Sequence, residues 1–443
     1  MHIPLAFFVI STVMMNLSRL LVLYLQVLPT SILDTSFALW RATSSARDSF
    51  DWQPCSGLEN DPRYECGLMH VAVDPMASNA GTLRLHVQRY RAVDSIGTIF
   101  VHRGGASAML ASASMSVLLG GRHDILAFDP RGTGLSENPC APMTECKHRS
   151  MSHVAADLNA VQLALHLDQL DFYGISIGTV LGQVYASEFP DAVGRLALDA
   201  PVDATELVDE WPVGDVEAAF EAFAAECETA GPGGCPLADA MTPRPYLAAR
   251  LNRFLEQLAE GTPGTGCIAR RAIARALAAP HAWPVLAGDL DAFMKSHAPP
   301  EAWGNASDCT ALSGQENWAT VSASASFTSA TALSTAVVRP GHTPLLILSA
   351  EVDPVTSRRS AEALATKWGV HAALVVRDGV GHGAAIGQPS ACVRKALGCF
   401  FSTGVMPASK RCPVDARPFQ LQLEALVDQN VIAMYVVASA VLP

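Results

Sequence analysis

The chain has 443 residues, half of them hydrophobic, which is enough to bury the core of a catalytic domain with an insertion. Its formal net charge of −12 argues against a nucleic-acid partner, because phosphate binding requires a basic surface. The sequence has neither a Cys-x-x-Cys pair nor a His-Glu-x-x-His motif, so we expect no metal site and no cofactor.

Residues 1–45 precede the part of the chain that we expect to fold as a domain. They include an apolar stretch, residues 3–28, that is interrupted by Ser18 and Arg19. The Ser-Phe-Ala sequence at 36–38 has small residues at the two positions that signal peptidase recognises. We interpret the segment as a secretory signal, with an uncleaved membrane anchor as the alternative. The expected location is therefore secreted, periplasmic or in the cell envelope.

Four strands are predicted before residue 130. Residues 66–73 and 83–91 alternate between apolar and polar side chains, which indicates an antiparallel hairpin. Residues 98–101 and 124–128 are short apolar runs in a chain that alternates with helical patterns from there on. Such alternation is typical of a mostly parallel sheet flanked by helices.

The loops that follow the strands at 98–101 and 124–128 contain glycines, which allow sharp turns there. Gly104 and Gly105 follow the first apolar run, and a glycine pair there lets backbone N–H groups face an acyl oxygen. Residues 129–136, Asp-Pro-Arg-Gly-Thr-Gly-Leu-Ser, follow the second run. We expect Arg131 to pair with Asp129 or a neighbouring acid and to hold this loop.

Ser176 is the strongest candidate for a nucleophile. It stands in a Gly-Ile-Ser-Ile-Gly sequence, after the apolar run 170–173 and before the helix-like run 179–188. The five-residue frame alone is a weak signal, but strand, sharp turn and helix are the context of a nucleophile elbow. The two glycines avoid a Cβ clash in that turn. The N–H of Ile177 is the predicted partner of the Gly105 or Gly104 N–H in an oxyanion hole.

Asp353 and His382 are the predicted partners of the serine. Residues 343–350 form a continuous apolar run, as expected of a buried strand, and Asp353 follows it; Glu351 is its nearest rival. His382 lies on a glycine-rich loop after a second apolar run, 372–376. The order serine, acid, histidine is that of sheet-based hydrolases, and parallel strands end at one edge of the sheet. We therefore expect the three side chains to converge there as a catalytic triad.

At this point the chain resembles the tripeptidyl-aminopeptidase group of α/β-hydrolases, relatives of the prolyl iminopeptidases. The resemblance rests on Asp129-Pro-Arg-Gly-Thr-Gly-Leu-Ser, Tyr-Gly-Ile-Ser-Ile-Gly-Thr at 173–179, Phe189-Pro-Asp-Ala-Val-Gly-Arg-Leu-Ala-Leu-Asp199, Asp353-Pro-Val-Thr, Gly381-His-Gly and the tail from Cys392 to Cys412. It implies an α/β-hydrolase fold with a mostly parallel sheet, flanking helices and an inserted helical lid. It also implies Ser176 as nucleophile, Asp353 as acid and His382 as base.

The oxyanion loop departs from the pattern of that group. Such enzymes usually carry Gly-Gly-Pro-Gly, whereas this chain has Ala106 and Ser107 after the two glycines. Losing the proline loosens the loop, and losing the glycine adds a Cβ. An aromatic residue commonly follows the nucleophile in these relatives, and Ile177 replaces it here. Neither change removes a backbone N–H, so we expect activity.

The predicted domain organisation follows from these elements. Residues 46–200 and 341–428 are expected to form the two parts of the hydrolase core, and the Ala-rich helical block 201–340 between them to form the lid. Residues 429–443 are expected to be a tail.

Eleven cysteines are many for a cytosolic enzyme and favour an oxidising compartment. Three close pairs are predicted disulfides, and similar pairs recur in the family that the chain resembles: Cys55 with Cys66, Cys227 with Cys235, and Cys392 with Cys412. The pairs Cys140 with Cys146 and Cys267 with Cys309 are weaker predictions, and they would leave Cys399 free.

The predicted activity is cleavage of peptide bonds near substrate N-termini through an acyl-enzyme. An exopeptidase must hold the free α-amine, and a buried cation needs a carboxylate. Glu206, Asp209, Glu210 and Asp215 at the start of the lid are candidates, and a solvated acidic helix face is the alternative. A carboxylesterase or lipase acting on small esters through the same triad is one alternative function. A catalytically inactive binding protein is another.

Overall fold

The computed structural model describes residues 50–77, 79–139, 148–204, 214–260, 265–304 and 343–420. Its strands are β1 (Gln53–Pro54), β2 (Tyr64–Ala72), β3 (Thr82–Tyr90), β4 (Thr98–His102), β5 (Asp124–Phe128), β6 (Leu170–Ile175), β7 (Val193–Asp199), β8 (Leu345–Val352), β9 (Ala372–Val380) and β10 (Lys410–Cys412). Its helices are α1 (Ala113–Leu118), α2 (Met151–Ala164), α3 (Gly178–Glu188), α4 (Val216–Ala230), α5 (Leu247–Glu260), α6 (Thr265–Leu277), α7 (Trp283–Ser296), α8 (Arg358–Trp368) and α9 (Ala391–Thr403).

The ten strands form one sheet in the order β1-β2-β3-β5-β4-β6-β7-β8-β9-β10. The predicted hairpin β2–β3 is antiparallel, β3 also pairs antiparallel with β5, and every pairing from β5 to β10 is parallel. Strands and helices alternate from β4 onward, as an α/β fold requires. The predicted α/β-hydrolase fold, a mostly parallel sheet flanked by helices, is confirmed.

The central strands are apolar on both faces because both faces are covered. On β7, Leu196 and Leu198 point into one buried cluster, while Ala197 between them belongs to the cluster on the opposite face. All three side chains have no exposed surface. This burial explains why the strand sequences are continuous apolar runs rather than alternating ones.

Strand β9 runs four residues beyond the apolar run that predicted it, to Val380. The sequence signal ended early because a charged residue, Arg377, follows the run. Its side chain is fully buried, where it donates to Gln388 Oε1 at 2.9 Å and to the backbone oxygens of Ala384 and Val380 at 3.0 and 3.1 Å. A buried guanidinium with this many acceptors is compatible with a strand.

The lid prediction falls between β7 and β8, where the structure describes α4 to α7. Helix α4 buries residues three and four positions apart, among them Phe220 and Phe223, against the other helices of this region. Trp283 at the start of α7 is fully buried, with its ring edge-on to Phe223 at a centroid distance of 5.5 Å. These helices therefore have their own apolar core. That they form a lid, with the limits 201–340, remains a prediction.

The three predicted disulfides are present: Cys55–Cys66, Cys227–Cys235 and Cys392–Cys412. Cys267 is also disulfide-bonded, whereas Cys140, Cys146 and Cys309 lie outside the described residues. Within the described ranges Cys399 is free and exposed, as expected. Disulfides at this density indicate a protein that lives outside the reducing cytosol.

The apolar amino-terminal segment lies outside the described residues. Among the residues that are described, no helix combines the length and the apolar character needed to cross a bilayer.

Candidate active site

The turn between β6 and α3 holds Ser176 in a left-handed conformation, with φ +55°. Backbone crowds this turn from two sides. A Cβ on Gly178 would lie 2.1 Å from the carbonyl oxygen of His102, and one on Gly174 would lie 2.7 Å from the oxygen of Gly178. The two glycines therefore let the chain turn sharply enough to leave the serine at the end of β6, which is the geometry of a nucleophile elbow.

Asp353 and His382 are in direct contact at the ends of β8 and β9. His382 Nδ1 lies 3.0 Å from each carboxylate oxygen of Asp353. The carboxylate also accepts the N–H groups of Val355 at 2.8 Å, Thr356 at 3.0 Å and Gly383 at 3.2 Å. Both side chains are buried. Glu351, the rival acid, faces elsewhere and pairs with Arg411 at 2.7 Å.

The pKa values of this pair move in the directions that a catalytic base and its acid require. Burial disfavours the imidazolium of His382, but the carboxylate of Asp353 outweighs it and raises the pKa of His382 above 6.5. Burial likewise opposes ionisation of Asp353, and the nearby imidazolium and hydrogen bonds lower its pKa overall. A positive charge that develops on His382 is therefore stabilised where it forms.

Asp199, at the end of β7, connects the serine turn to the histidine loop. Its backbone oxygen accepts the N–H of Ser176 at 2.9 Å. Its carboxylate, fully buried, accepts the N–H groups of Ala384 and Ala385 at 2.6 and 2.9 Å and the hydroxyl of Tyr173 at 2.8 Å. The sequence motifs predict no role for Asp199, although an acid at the carboxyl end of a buried strand is a usable signal.

Nδ1 of His382 is occupied by Asp353, which leaves Nε2 as the nitrogen available for proton transfer. Within the described residues no hydrogen bond joins this nitrogen to Ser176 Oγ. Catalytic hydrogen bonds are often long in a free enzyme and tighten only when substrate is bound. The two loops nevertheless end beside each other, because both are bonded to Asp199.

The oxyanion candidates differ in whether their N–H groups are free. Gly104 is not a free donor, because its N–H donates to His102 Nδ1 at 3.0 Å. Among the described residues, the N–H groups of Ile177 and Gly105 have no acceptor. The Gly104 N–H is therefore already bound in this structure, and the assignment of Gly105 and Ile177 to the oxyanion hole remains a prediction.

Hydrogen bonds restrain the predicted oxyanion loop, which the missing proline was expected to loosen. Ser107, fully buried, donates its hydroxyl to the carbonyl oxygens of Gly104 and Gly105, each at 3.1 Å. One carboxylate oxygen of Asp129 accepts the N–H groups of Ser107 and Ala108 at 2.9 Å. Ser107, which replaces the glycine of the family, thus forms hydrogen bonds within the loop. Asp129 connects the loop to the end of β5.

Arg131 pairs with an acid, but the acid is not Asp129. Its guanidinium meets the carboxylate of Asp157 on α2 at 2.6 and 2.8 Å, with both side chains buried. The neighbouring acid that was expected as the alternative to Asp129 is thus Asp157. Because Asp157 takes the arginine, Asp129 is left to hold the oxyanion loop.

The helical region between β7 and β8 contacts the histidine loop. The N–H of His382 donates to the carbonyl oxygen of Ala278 at 2.8 Å, just after α6. A Cβ on Gly381 would lie 2.5 Å from Pro280, so the two segments pack closely. Residues 278–280 therefore contact the backbone of the loop that carries His382.

Three of the acids proposed for the substrate amine, Glu206, Asp209 and Glu210, lie outside the described residues. Asp215 is described: its N–H donates to the carbonyl oxygen of Asp353 at 2.8 Å, and burial raises the pKa of its carboxyl group. It thus stands next to Asp353, the predicted acid, at the start of α4. No group of three or more potential metal ligands occurs in the described part of the chain.

Two family models match this chain. Residues 97–233 match a model described as alpha/beta hydrolase fold, and residues 308–412 match a model described as TAP-like protein. The serine protease Hip1 of Mycobacterium tuberculosis is 26% identical over 242 residues, which are 42% of this chain and 46% of that protein. A tripeptidyl aminopeptidase of Streptomyces coelicolor is 24% identical over 214 residues, 37% of this chain and 40% of that protein.

A tripeptidyl aminopeptidase of Streptomyces lividans is 25% identical over 220 residues, with the same two coverages of 37% and 40%. The chain thus spans less than half the length of each of these curated relatives. The resemblance found in the sequence motifs is confirmed.

Proposed function

From an α/β-hydrolase fold with a TAP-like carboxy-terminal segment, we propose that this protein is a serine peptidase that cleaves short peptides from substrate N-termini. The observation that carries the proposal is the buried Asp353–His382 pair, in contact at 3.0 Å at the sheet edge where the Ser176 turn also ends. The relatives named serine protease and tripeptidyl aminopeptidase support peptides over other acyl substrates.

In the proposed mechanism Ser176 Oγ attacks the scissile carbonyl carbon while His382 Nε2 takes the hydroxyl proton. The resulting imidazolium is stabilised by Asp353 through Nδ1. The N–H groups of Ile177 and Gly105 receive the negative oxygen of the tetrahedral intermediate. When the intermediate collapses, His382 gives its proton to the leaving amine, and a water molecule, activated by the same imidazole, then hydrolyses the acyl-enzyme.

The preference for a substrate N-terminus is assigned to acids at the start of the lid. Asp215 is the candidate closest to the chemistry, because its backbone is bonded to Asp353. Glu206, Asp209 and Glu210 belong to the same proposal by sequence position alone. The disulfides of the protein and its apolar amino-terminal segment support a location that is secreted, periplasmic or in the cell envelope.

A panel of peptidyl-anilides with free and blocked N-termini, run beside p-nitrophenyl esters, tests this function. We expect anilides with a free N-terminus to be hydrolysed, and Ser176→Ala to lower kcat by about 10⁶-fold. Hydrolysis of the esters alone would identify a carboxylesterase instead. A fluorophosphonate probe that fails to label Ser176 in the folded, disulfide-bonded protein would indicate the inactive binding protein.

A further inference from the structure

His102 is a second buried histidine at the edge of the sheet where the catalytic groups lie. It is the last residue of β4, its side chain is 1% exposed, and the oxyanion loop begins directly after it. Its ring is stacked parallel to Phe100, with 6.2 Å between centroids, and also packs beside Phe128. Its backbone oxygen is the atom against which Gly178 of the nucleophile elbow is packed. His102 therefore contacts both halves of the predicted oxyanion hole.

The protonation state of His102 is fixed by its contacts. Nδ1 accepts the Gly104 N–H at 3.0 Å, so this nitrogen carries no proton and the proton of the neutral ring is on Nε2. Burial, together with the neighbouring Arg103 charge, lowers the pKa of His102 to about 3. Nε2 itself has no partner among the described residues. The ring acts as a permanent acceptor for one backbone N–H.

The hydrogen bond from the Gly104 N–H to His102 fixes the orientation of this peptide group, and with it the direction of the Gly105 N–H. Gly104 and Gly105 both have positive φ, +94° and +52°. A Cβ on Gly104 would lie 1.6 Å from Ile177 Cγ2, so the loop lies directly against the residue that supplies the other N–H. With the Gly104 N–H turned to the imidazole, the Gly105 N–H directly after it stays without an acceptor in the described structure, as does that of Ala106.

We propose that His102 is a positioning residue for the oxyanion hole, which binds the Gly104 N–H so that the Gly105 N–H faces the reacting carbonyl oxygen beside that of Ile177. This role rests on the proposed serine-hydrolase function of the same site. It explains how an oxyanion loop without the proline usual in the family keeps the Gly104 N–H turned away from the reacting oxygen.

The test compares two replacements of His102. Asparagine places its Oδ1 where the imidazole has Nδ1 and keeps the acceptor, whereas leucine has a similar bulk and no acceptor. We expect His102→Leu to lower kcat for a peptidyl-anilide about 10²-fold with KM changed less than threefold, since an oxyanion donor acts only on the transition state. We expect His102→Asn to recover kcat to within about fivefold of the unmodified protein.

A matched control separates positioning from packing. Phe100→Leu disturbs the ring that stacks on His102 but leaves the bond to Gly104, and we expect a lower melting temperature with kcat within threefold. A peptide aldehyde, whose adduct with Ser176 places an oxygen in the hole, should lose affinity for His102→Leu by about the same factor as kcat. Unchanged kcat in His102→Leu, or an equal loss in His102→Asn, would overturn the proposal.

If the His102→Leu variant does not fold, the tautomer of His102 in the unmodified protein tests the proposal instead. In ¹⁵N-histidine spectra, assigned by the resonance that disappears in His102→Asn, Nδ1 should be unprotonated and Nε2 protonated from pH 8 down to pH 5. A proton on Nδ1 would end the proposal even in an active enzyme. If the unmodified protein shows neither turnover nor fluorophosphonate labelling, the proposed function fails instead, while the spectrum still reports on the His102–Gly104 bond.

Discussion

Two buried histidines lie at the same edge of the sheet, and their environments shift their pKa values in opposite directions. The pKa of His382 is raised, because an ionised carboxylate at 3.0 Å outweighs the effect of burial. The pKa of His102 is lowered to about 3, because burial disfavours its imidazolium and the charge of Arg103 adds to that effect, while Nδ1 accepts an N–H instead of facing a carboxylate. Burial is common to both, so the partner of Nδ1 decides which ring can act as a base and which only as an acceptor.

The largest expected loss of kcat in this comparison comes from removing the carboxylate beside His382, which leaves this ring, like His102, without an ionised partner at Nδ1. Asp353→Asn removes the charge that stabilises the imidazolium and allows the wrong tautomer, and we expect kcat to fall about 10⁴-fold. The pKa of His382 should fall as well, because burial is then less opposed. Steady-state kinetics of a peptidyl-anilide across pH measures both, with Glu351→Gln as the matched control that leaves the pair intact. Near-normal kcat in Asp353→Asn would contradict the assignment of the acid.

The unmodified enzyme should show the raised pKa of His382 in its pH profile. The mechanism needs this imidazole neutral, so kcat/KM should rise tenfold per pH unit and level off with a midpoint above 6.5. His102 should add no step between pH 5 and 9, and the His102→Asn profile should keep the same midpoint. A midpoint below 6.5, or one that moves in His102→Asn, would reverse the roles given to the two rings.

Replacing Asp199 should change kcat less. Its carboxylate acts on His382 by electrostatic attraction and through hydrogen bonds to the backbone of the same loop, not by a direct contact. Asp199→Asn replaces one acceptor oxygen with an amide that faces an N–H of Ala384 or Ala385. We expect the free energy of unfolding to fall by about 1–3 kcal/mol and kcat about tenfold. The midpoint of the pH profile should shift downward, since a carboxylate that favours the imidazolium is lost.

The control for this variant is Tyr173→Phe. It removes only the hydroxyl bonded to Asp199 at 2.8 Å and keeps the charge. Its pH midpoint should stay where it is. Equal shifts in the two variants would mean that Asp199 acts through packing alone.

The smallest effect is expected from Ser107→Ala. This change removes the hydroxyl that binds the carbonyl oxygens of Gly104 and Gly105 but leaves the Asp129 contacts of the loop. We expect kcat to fall about threefold to tenfold with little change in KM, as each bond adds about 1 kcal/mol. Combining it with His102→Leu in a double-mutant cycle measures whether the two restraints act on one loop geometry. Strict additivity would indicate that they act on separate groups.

The parts of the molecule that the sequence predicted are those with a local signal. Strands appeared as apolar runs, and Asp353 and His382 stood directly after two of them. The nucleophile turn was predictable because its glycines are needed within two residues of Ser176. Each of these inferences depends on neighbours in the chain.

The missed parts depend on where a side chain points after folding. The bond between His102 and Gly104 spans two residues, yet it needs a buried ring turned toward its own loop. Asp199 contacts backbone groups 185 and 186 positions away. Arg131 had several acids in reach, and the choice of Asp157 over Asp129 is set by helix α2 packing on the sheet. No periodicity or motif encodes these orientations.

The contact between Ala278 and the backbone of His382 joins the helices between β7 and β8 to the loop of the predicted base. A ligand that displaces residues 278–280 would therefore break a hydrogen bond of that loop. Under the proposed peptidase function, a narrow, extended peptide end that leaves these residues in place would keep the imidazole restrained.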